Sequence, residues 1–514
     1  MSFIINFVES VQDSLRSLMT VPSKAPQAPP VWQLLYKGPV YLFVAWLGAS
    51  LFEAVFNIFN APLAEFPGPK LAAATAWYQT YYEVYRRESW TDVLERLHKQ
   101  YGPIVRVGPN ELHFSDPAAY HEIYNENNKW NKDAFLYRSF GQDHSSFGFL
   151  TYEPSKKRKD FLSPFFSHRA ICDLQELIQS NVDRFCDVLT ANNGKGRSSD
   201  LFLGLRCLSL DTIMSFCFAR SVDALGEPEF KSPIVEAMEA SLPASILFKH
   251  FNLIRKVAFA LPGLSSWISP PMAGLTRLKK ILVSQVREVT ATPYSALEAP
   301  QKTIYNELLS PAATGGKKVN TMSLYEEAQA LVFGGTDTTA NTLMVGIFHM
   351  LEQPALVSRL RKELLEVWPV LEDVSPKFEE LEKLPFLTAV IKESLRTGPT
   401  GIVSPLPRTL PNKATTINGS IIPAGTTLGM SGYFVHNSET IFKNPRDFDP
   451  TRWLEDASLD KWLVPFSKGP RMCLGQNLAY CELYLAFASI FRKFDLELDS
   501  ARYAMHHQHY KTEY

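Results

Sequence analysis

The spacing of apolar residues predicts a mainly helical protein. Apolar side chains recur every three or four positions over five long segments, residues 170–190, 201–219, 324–351, 354–367 and 387–396. Two β-rich runs, residues 104–107 and 111–114, flank Gly108 and Pro109 and predict a hairpin, and strand-like pieces return within residues 415–430. Polar stretches at residues 192–200 and 311–320 predict surface loops. The predicted fold class is mainly α with a small β-rich part (α+β).

An apolar segment near the N-terminus predicts a membrane anchor. Residues 40–59 contain only Glu53 and Asn57 as strongly polar side chains, and a helix needs about 20 residues to cross a bilayer. A buried or interfacial helix is the alternative, because an acid at the bilayer centre costs about 3 kcal/mol. The pattern therefore predicts an N-terminal leader and anchor over residues 1–60 and one large domain over residues 61–514.

Charge and cysteine content exclude several classes of protein. The net charge is −1, from 52 basic and 53 acidic side chains, so the chain shows no general basic excess and we expect no nucleic-acid partner. None of the 6 cysteines belongs to a C-x-x-C pair, which argues against a disulfide scaffold and a structural zinc site. A reducing, cytosolic environment is expected for the large domain.

The strongest chemical signal is the decapeptide from Phe466 to Gly475, which a helical run follows. Cys473 precedes the predicted helix start, where free N–H groups and the helix dipole depress a thiol pKa. Gly469 and Gly475 allow tight turns beside a flat cofactor, and Arg471 can pair with a cofactor carboxylate. A lone cysteine is usually a small core residue, but the surrounding positions favour a thiolate ligand.

The pattern F-x-x-G-x-R-x-C-x-G resembles the haem-binding loop of the cytochrome P-450 family at every fixed position. The resemblance implies the fold of that family, with haem b between a long distal helix and the cysteine loop. It implies that Cys473 ligates the iron and that Phe466, Gly469, Arg471 and Gly475 bind the cofactor. Residues 61–514 are then a haem-thiolate monooxygenase domain.

Two further motifs resemble the same family. Glu393 and Arg396 match its E-x-x-R helix, and Arg452 matches the arginine that joins this pair. The resemblance implies that these three residues form a structural network behind the haem. Arg408 matches a position that pairs with a haem propionate, with a surface arginine as the alternative.

A pair of glycines interrupts the long apolar helix predicted over residues 324–351. Gly334 and Gly335 cost about 1 kcal/mol each against alanine, and a groove for dioxygen would justify that cost. The resemblance implies that Thr338 hydrogen-bonds the distal oxygen and that Asp337 feeds protons, which makes both catalytic. The alternative is a plain helix whose hydroxyl groups bond back to carbonyls one turn earlier.

Two segments depart from the family pattern. Residues 155–161 read SKKRKDF where relatives often place an aromatic residue or histidine followed by arginines, so further propionate partners stay undefined. Only 41 residues follow Cys473 in the chain of 514, and residues 501–514 are polar and aromatic where relatives usually continue into a further hairpin. We expect this side of the pocket to differ from the family pattern.

The substrate pocket is predicted to be apolar. Its candidate lining residues are Phe135, Phe147, Phe333 and Val403, and plain core packing is the alternative for each. The N-terminal half resembles fungal enzymes of secondary metabolism such as trichodiene-oxygenase-like proteins, which implies a terpenoid or polyketide substrate. The expected reaction inserts an oxygen atom from dioxygen into this small apolar molecule.

The resemblance also implies partners and a location. A flavoprotein reductase would deliver electrons from NADPH to the proximal face, where Lys461 and Lys468 are candidate docking charges. The anchor implies a membrane, expected to be the endoplasmic reticulum, with the catalytic domain facing the cytosol. Residues 241–275 mix apolar and basic side chains in a pattern suited to a membrane surface, although a buried helix pair explains it too.

Two other functions would use the same cysteine loop. One is a haem-thiolate isomerase or dehydratase, which should not need the Asp337 and Thr338 pair. The other is a noncatalytic haem-binding sensor.

Overall fold

A computed structural model of the chain describes residues 31–291, 303–309, 320–398 and 405–498, without the side chains of residues 31–37 and 271. Most of these residues are helical. The α-helices are α1 Val31–Phe59, α2 Lys70–Ala74, α3 Trp77–Thr80, α4 Trp90–Tyr101, α5 Pro117–Ile123, α6 Ala134–Tyr137, α7 Tyr152–Leu162, α8 His168–Gly194, α9 Leu201–Phe218, α10 Pro233–His250, α11 Asn252–Ala260, α12 Pro262–Ile268, α13 Pro270–Ala291, α14 Ile304–Leu308, α15 Thr321–Leu351, α16 Pro354–Val367, α17 Phe378–Leu381, α18 Pro385–Thr397, α19 Gly432–His436, α20 Arg452–Glu455 and α21 Gln476–Lys493.

Seven short strands form the β-rich part of the described chain. They are β1 Ile104–Gly108, β2 Glu111–Phe114, β3 Asn131–Lys132, β4 Arg408–Thr409, β5 Thr415–Ile417, β6 Ser420–Ile422 and β7 Thr427–Gly429. One sheet has the order β1-β2-β7-β4-β3, and β5 pairs with β6 in a separate hairpin. The β3–β4 pairing sets Lys132 opposite Arg408, which brings two distant parts of the sequence together near the site.

The helices enclose one large apolar core, to which α8, α9, α15, α18 and α21 all contribute. The long helix α15 packs against α9 over much of its length and also contacts α18 and α21. A second apolar cluster lies between the sheet and α4. The site described below lies where the two clusters adjoin, between α15 and the loop before α21.

The predicted fold class and the five long helices are confirmed, with ends that shift by a few residues. Helix α8 continues to Gly194, past its last buried residue Leu189, and so includes the start of the predicted 192–200 loop. Of the predicted loop at 311–320, only Asn320 lies within the described residues, where its side chain caps α15. The 501–514 tail lies outside them.

Helix α1 is longer than the predicted anchor and includes Pro39. Its apolar part, Gly38–Phe59, has the length and composition of a membrane span, and none of the window is buried by the protein. This exposure excludes the alternative of a buried core helix, whereas Leu201–Phe218 is equally apolar but 78% buried. Helices α11 and α12 are also exposed on their apolar sides, with Leu253 and Trp267 at 74% and 84%, so they are not a buried pair.

Candidate active site: a cysteine loop beside buried cations

The Cys473 loop folds back on itself immediately before α21. The Cys473 N–H donates to the Phe466 carbonyl oxygen at 2.8 Å. Gly469 has a φ of +72°, and a Cβ there would lie 2.6 Å from the Tyr124 carbonyl oxygen, so only glycine fits this turn. The expectation for Gly475 is wrong in part: its φ of −86° is ordinary, although the space beside its Cα is open.

The Cys473 side chain is exposed, yet burial is the main influence on its thiol and raises the pKa. Both observations hold because the sulfur lines a recess inside the protein. The Gly475 N–H and the Lys159 ammonium lower the pKa but are outweighed. The helix start therefore lowers the pKa of Cys473, as predicted, but by less than burial raises it. A thiolate at this position needs a further positive charge, such as a metal ion.

Two arginines lie beside this loop, Arg408 buried and Arg471 partly buried. Arg471 donates from Nη1 and Nη2 to the carbonyl oxygens of residues 149–150, at 3.1 and 3.0 Å, and its buried Nε has no partner. Arg408 is buried, which excludes the surface alternative, and its Nη1 donates to the Tyr137 hydroxyl at 2.7 Å. Burial and then Arg408 lower the pKa of Arg471 to about 10. Within the described residues, neither arginine has a carboxylate partner.

Lys132 is a third cation at this place. Its Nζ donates to the Phe147 carbonyl oxygen at 2.6 Å and lies 4.2 Å from the centroid of the Tyr137 ring. Burial, and after it Arg408 and Arg471, hold the pKa of Lys132 well below its ordinary value. Lys132 was not predicted from the sequence, because a lysine in a short polar run belongs to no motif.

The basic segment at 155–161 reaches the loop through one residue. Lys159 Nζ donates to the Met472 carbonyl oxygen at 2.9 Å and to that of Pro470 at 3.3 Å. Arg158 instead pairs with the buried carboxylate of Glu327 at 2.8 Å. Lys159 therefore holds the backbone of the cysteine loop, and Arg158 ties α7 to α15.

Glu393, Arg396 and Arg452 lie in one buried cluster. Arg396 donates to both carboxylate oxygens of Glu393, at 2.9 and 2.7 Å, and Arg452 Nε donates to Glu393 Oε1 at 3.2 Å. The indole of Trp453 and the backbone N–H of Asp449 also donate to this carboxylate, each at 2.9 Å. Every charged group in the cluster is thus hydrogen-bonded, as burial requires, and two guanidinium groups share the one carboxylate.

The two glycines of α15 have different surroundings. A Cβ at Gly335 would lie 2.8 Å from Ile213, so this glycine allows α9 to pack closely. Gly334 is exposed in the middle of the helix and has nothing within 4 Å of such a Cβ. Thr338 donates its hydroxyl to the Gly334 carbonyl oxygen at 2.7 Å. Only Gly334 therefore borders an open groove.

Asp337 is held by a residue that no motif included. Its Oδ1 accepts a hydrogen bond from Arg206 Nε at 3.0 Å, and Arg206 also donates to Asn341 at 2.9 Å. Burial raises the pKa of Asp337, while Arg206 lowers it. Arg206 stands alone as a buried cation in the apolar pattern of α9, which is the one signal that could have identified it.

The predicted pocket residues that the structure describes have different surroundings. The Phe135 ring lies 5.3 Å from the ring of His250, and the Phe147 ring lies 5.4 Å from those of Tyr137 and Phe140. Phe333 packs against the main core. Val403 lies outside the described residues.

The sequence is similar to those of known proteins over most of its length. The family model described as Cytochrome P450 matches residues 68–508. The cytochrome P450 monooxygenase flvC of Aspergillus flavus is 34% identical and covers 89% of each chain. The tryptophan 6-hydroxylase fscE of Fusarium equiseti is 35% identical over 87% of this chain and 88% of its own. The conidiogenone synthase PchP450 of Penicillium rubens is 32% identical over 89% and 93%.

A solved structure shares the fold. The crystal structure of a cytochrome P450 (CYP102L1) has a TM-score of 0.67 at 17% identity, over 85% of this chain and 93% of its own. The family expected from the cysteine loop is confirmed. With an exposed thiol before α21 and a family match over residues 68–508, the chain belongs to the cytochrome P450 family of haem-thiolate oxidoreductases that use dioxygen.

Proposed function

We propose that this chain inserts one oxygen atom of dioxygen into a small apolar molecule of terpenoid or polyketide type, at a haem b held by Cys473. One observation carries the assignment of the site: an exposed thiol lies beside a buried arginine, Arg408, and a partly buried one, Arg471, neither of which has a carboxylate partner among the described residues. This arrangement suits a ligand with a metal ion and acidic side groups.

The described residues fit haem. Cys473 Sγ would bind the iron, and the partnerless Nε of Arg471, with Arg408, would meet the propionate carboxylates. The open spaces beside Gly475 and Gly334 leave room for a flat ring between the cysteine loop and α15. The bound haem supplies the dioxygen chemistry.

Thr338 and Asp337 would handle protons on the α15 side. The Thr338 hydroxyl gives its proton to the Gly334 carbonyl oxygen, so its own oxygen can accept a hydrogen bond from the groove. The raised pKa of Asp337 favours proton uptake closer to neutral pH. Arg206 holds this carboxylate at 3.0 Å and would position it.

A haem-thiolate isomerase or dehydratase and a noncatalytic haem sensor remain the alternatives, and a Thr338→Ala variant separates them. A monooxygenase should turn over less product per NADPH consumed, because the hydroxyl that orders the proton supply is lost. Isomerase activity or ligand sensing should survive unchanged. Thr321→Ala, at the exposed start of the same helix, is the control.

The substrate class rests on the names of the relatives. One relative is named a conidiogenone synthase, and two are named 6-hydroxylases of tryptophan and N-acetyltryptophan. Co-expression with a reductase, fed with terpenes, polyketides and tryptophan in parallel, would identify the oxygenated product by mass. A product from tryptophan alone would contradict the terpenoid or polyketide assignment.

The electron donor would be a flavoprotein reductase that uses NADPH. A groove of about 620 Å³ lies on the Cys473-loop side, lined by Lys468, Lys392 and Phe466 among others. Its lining also holds Glu126 and Asp460, and Asp460 pairs with Lys392 at 2.7 Å, so Lys468 is the basic side chain that would meet an acidic partner surface. The exposed apolar helix Gly38–Phe59 would anchor the chain in the endoplasmic reticulum with the domain in the cytosol.

The absorbance of the reduced, carbon-monoxide-treated protein tests the assignment of Cys473. A thiolate ligand shifts the main band to longer wavelength, and Cys473→Ser should lose this shift. Cys172→Ser, a partly exposed cysteine elsewhere, is the matched control and should keep it. Haem bound by the wild-type chain without the thiolate band would contradict the proposal.

A further inference from the structure

We propose that Lys132 binds the haem directly, with its ammonium paired to one of the two propionate carboxylates. This inference rests on the proposed function, because it needs haem in the site. No motif described above includes Lys132. Its role follows from where the fold places it.

Three cations from separate segments meet at this point. Lys132 lies in β3 directly opposite Arg408 of β4. The backbone N–H of Lys132 donates to the Leu150 carbonyl oxygen at 2.9 Å, and Arg471 Nη2 donates to the same oxygen at 3.0 Å. Lys132 therefore pairs with Arg408 across the sheet and shares the Leu150 carbonyl oxygen with Arg471.

The ammonium of Lys132 has unused hydrogen-bonding capacity. It carries three donors, and one of them meets the Phe147 carbonyl oxygen at 2.6 Å. The rings of Tyr137 and Phe147 lie 4.2 and 4.3 Å away and attract a cation without replacing a strong acceptor. The residue is only 6% exposed, and it forms no ion pair with an acid in the described part of the chain.

Like charges that converge in a buried place repel each other, and an anion would relieve this repulsion. Burial, Arg408 and Arg471 all favour the uncharged amine at Lys132. Haem carries two carboxylates on one edge, which gives the right charge for several cations. Arginine binds a carboxylate through a planar pair of N–H groups, whereas lysine binds it as a point charge. Arg408, Arg471 and Lys132 can therefore share the two propionates.

The rate of haem loss from the purified holoenzyme to an excess of a haem-accepting protein tests the proposal. Lys132→Met should lose haem roughly tenfold faster than the wild type, which is the usual effect of one charge-assisted hydrogen bond. Lys129→Met is the matched control, since Lys129 is exposed in the same loop. When the chain is loaded with haem dimethyl ester, which lacks both carboxylates, all three proteins should lose it at the same rate.

Equal haem loss from Lys132→Met and the wild type would overturn the inference. So would an equal acceleration with the dimethyl ester, because the effect would then be structural. The reduced carbon monoxide spectrum separates the two proposals: a wild type without the thiolate band fails the proposed function itself. Should Lys132→Met hold no haem, Lys132→Arg must retain haem longer than Lys132→Gln, and equal retention overturns the inference.

Discussion

At the scale of single residues, Glu393 shows how burial makes a charge indispensable. Its carboxylate is fully buried with Arg396 and accepts from Arg452 as well. Glu393→Gln would leave two buried guanidinium groups without a counter-charge, which costs about 3–5 kcal/mol. Denaturant unfolding should show this loss, whereas Glu455→Gln, an exposed acid nearby, should be neutral. A loss below about 1 kcal/mol in Glu393→Gln would contradict the account.

The single residues also mark the limit of sequence reasoning. Cys473, Glu393 and Arg396 were found because each lies in a local motif of fixed spacing. Lys132 and Arg206 were missed, since their partners are distant in sequence: Lys132 meets Arg408 only through a sheet register, and Arg206 meets Asp337 only where two helices pack. Contacts of this kind depend on the tertiary structure rather than on local pattern.

At the scale of elements, α21 carries a buried acid against α9. Both carboxyl oxygens of Glu482 lack a partner in the described structure, and burial raises its pKa to about 8, opposed by the neighbouring Ser209. The folded state therefore holds this proton more tightly than the unfolded chain, whose ordinary value is 4.5. Its contribution to stability is complete below that value and is lost as pH rises towards 8.

Glu482→Gln should remove this pH dependence. The free energy of unfolding of the variant, minus that of the wild type, should grow by about 1.4 kcal/mol per pH unit at most between pH 5.5 and 7.5. Urea unfolding at three pH values measures it, with Glu366→Gln, an exposed acid of α16, as the control. A difference that does not change with pH would contradict a neutral Glu482.

The elements themselves were largely predictable, because apolar spacing fixes which face of a helix is buried. The 31-residue helix α15 was recognised despite Gly334 and Gly335, since its apolar pattern continues on both sides. The apolar pattern does not show why a glycine is present at each of these two positions. Gly335 is required by Ile213 of another helix, and the sequence does not indicate that packing.

At the scale of the whole molecule, the end of helix α1 is hydrogen-bonded to the sheet. Arg106 is buried and donates from Nη1 to the Asn57 carbonyl oxygen at 2.8 Å, in the last turns of α1. Exposed apolar side chains continue from there: Trp77 is 64% exposed and lies 6.0 Å, ring to ring, from Phe251, which leads into α11. Exposed apolar side chains therefore continue from helix α1 through Trp77 to α11 and α12.

This continuity predicts two separable contributions to membrane binding. Deletion of residues 1–59 should weaken sedimentation with phosphatidylcholine vesicles without abolishing it, because Leu253 and Trp267 remain exposed. Adding Leu253→Glu and Trp267→Glu to this deletion should lower the remaining binding to vesicles at least tenfold. Each apolar side chain that enters the membrane contributes about 1.5–3 kcal/mol to binding. Val374→Glu, at a residue 92% exposed outside this surface, is the control and should leave partition unchanged. Complete release by the deletion alone would mean that α1 is the whole attachment, and that α11 and α12 are exposed for another reason.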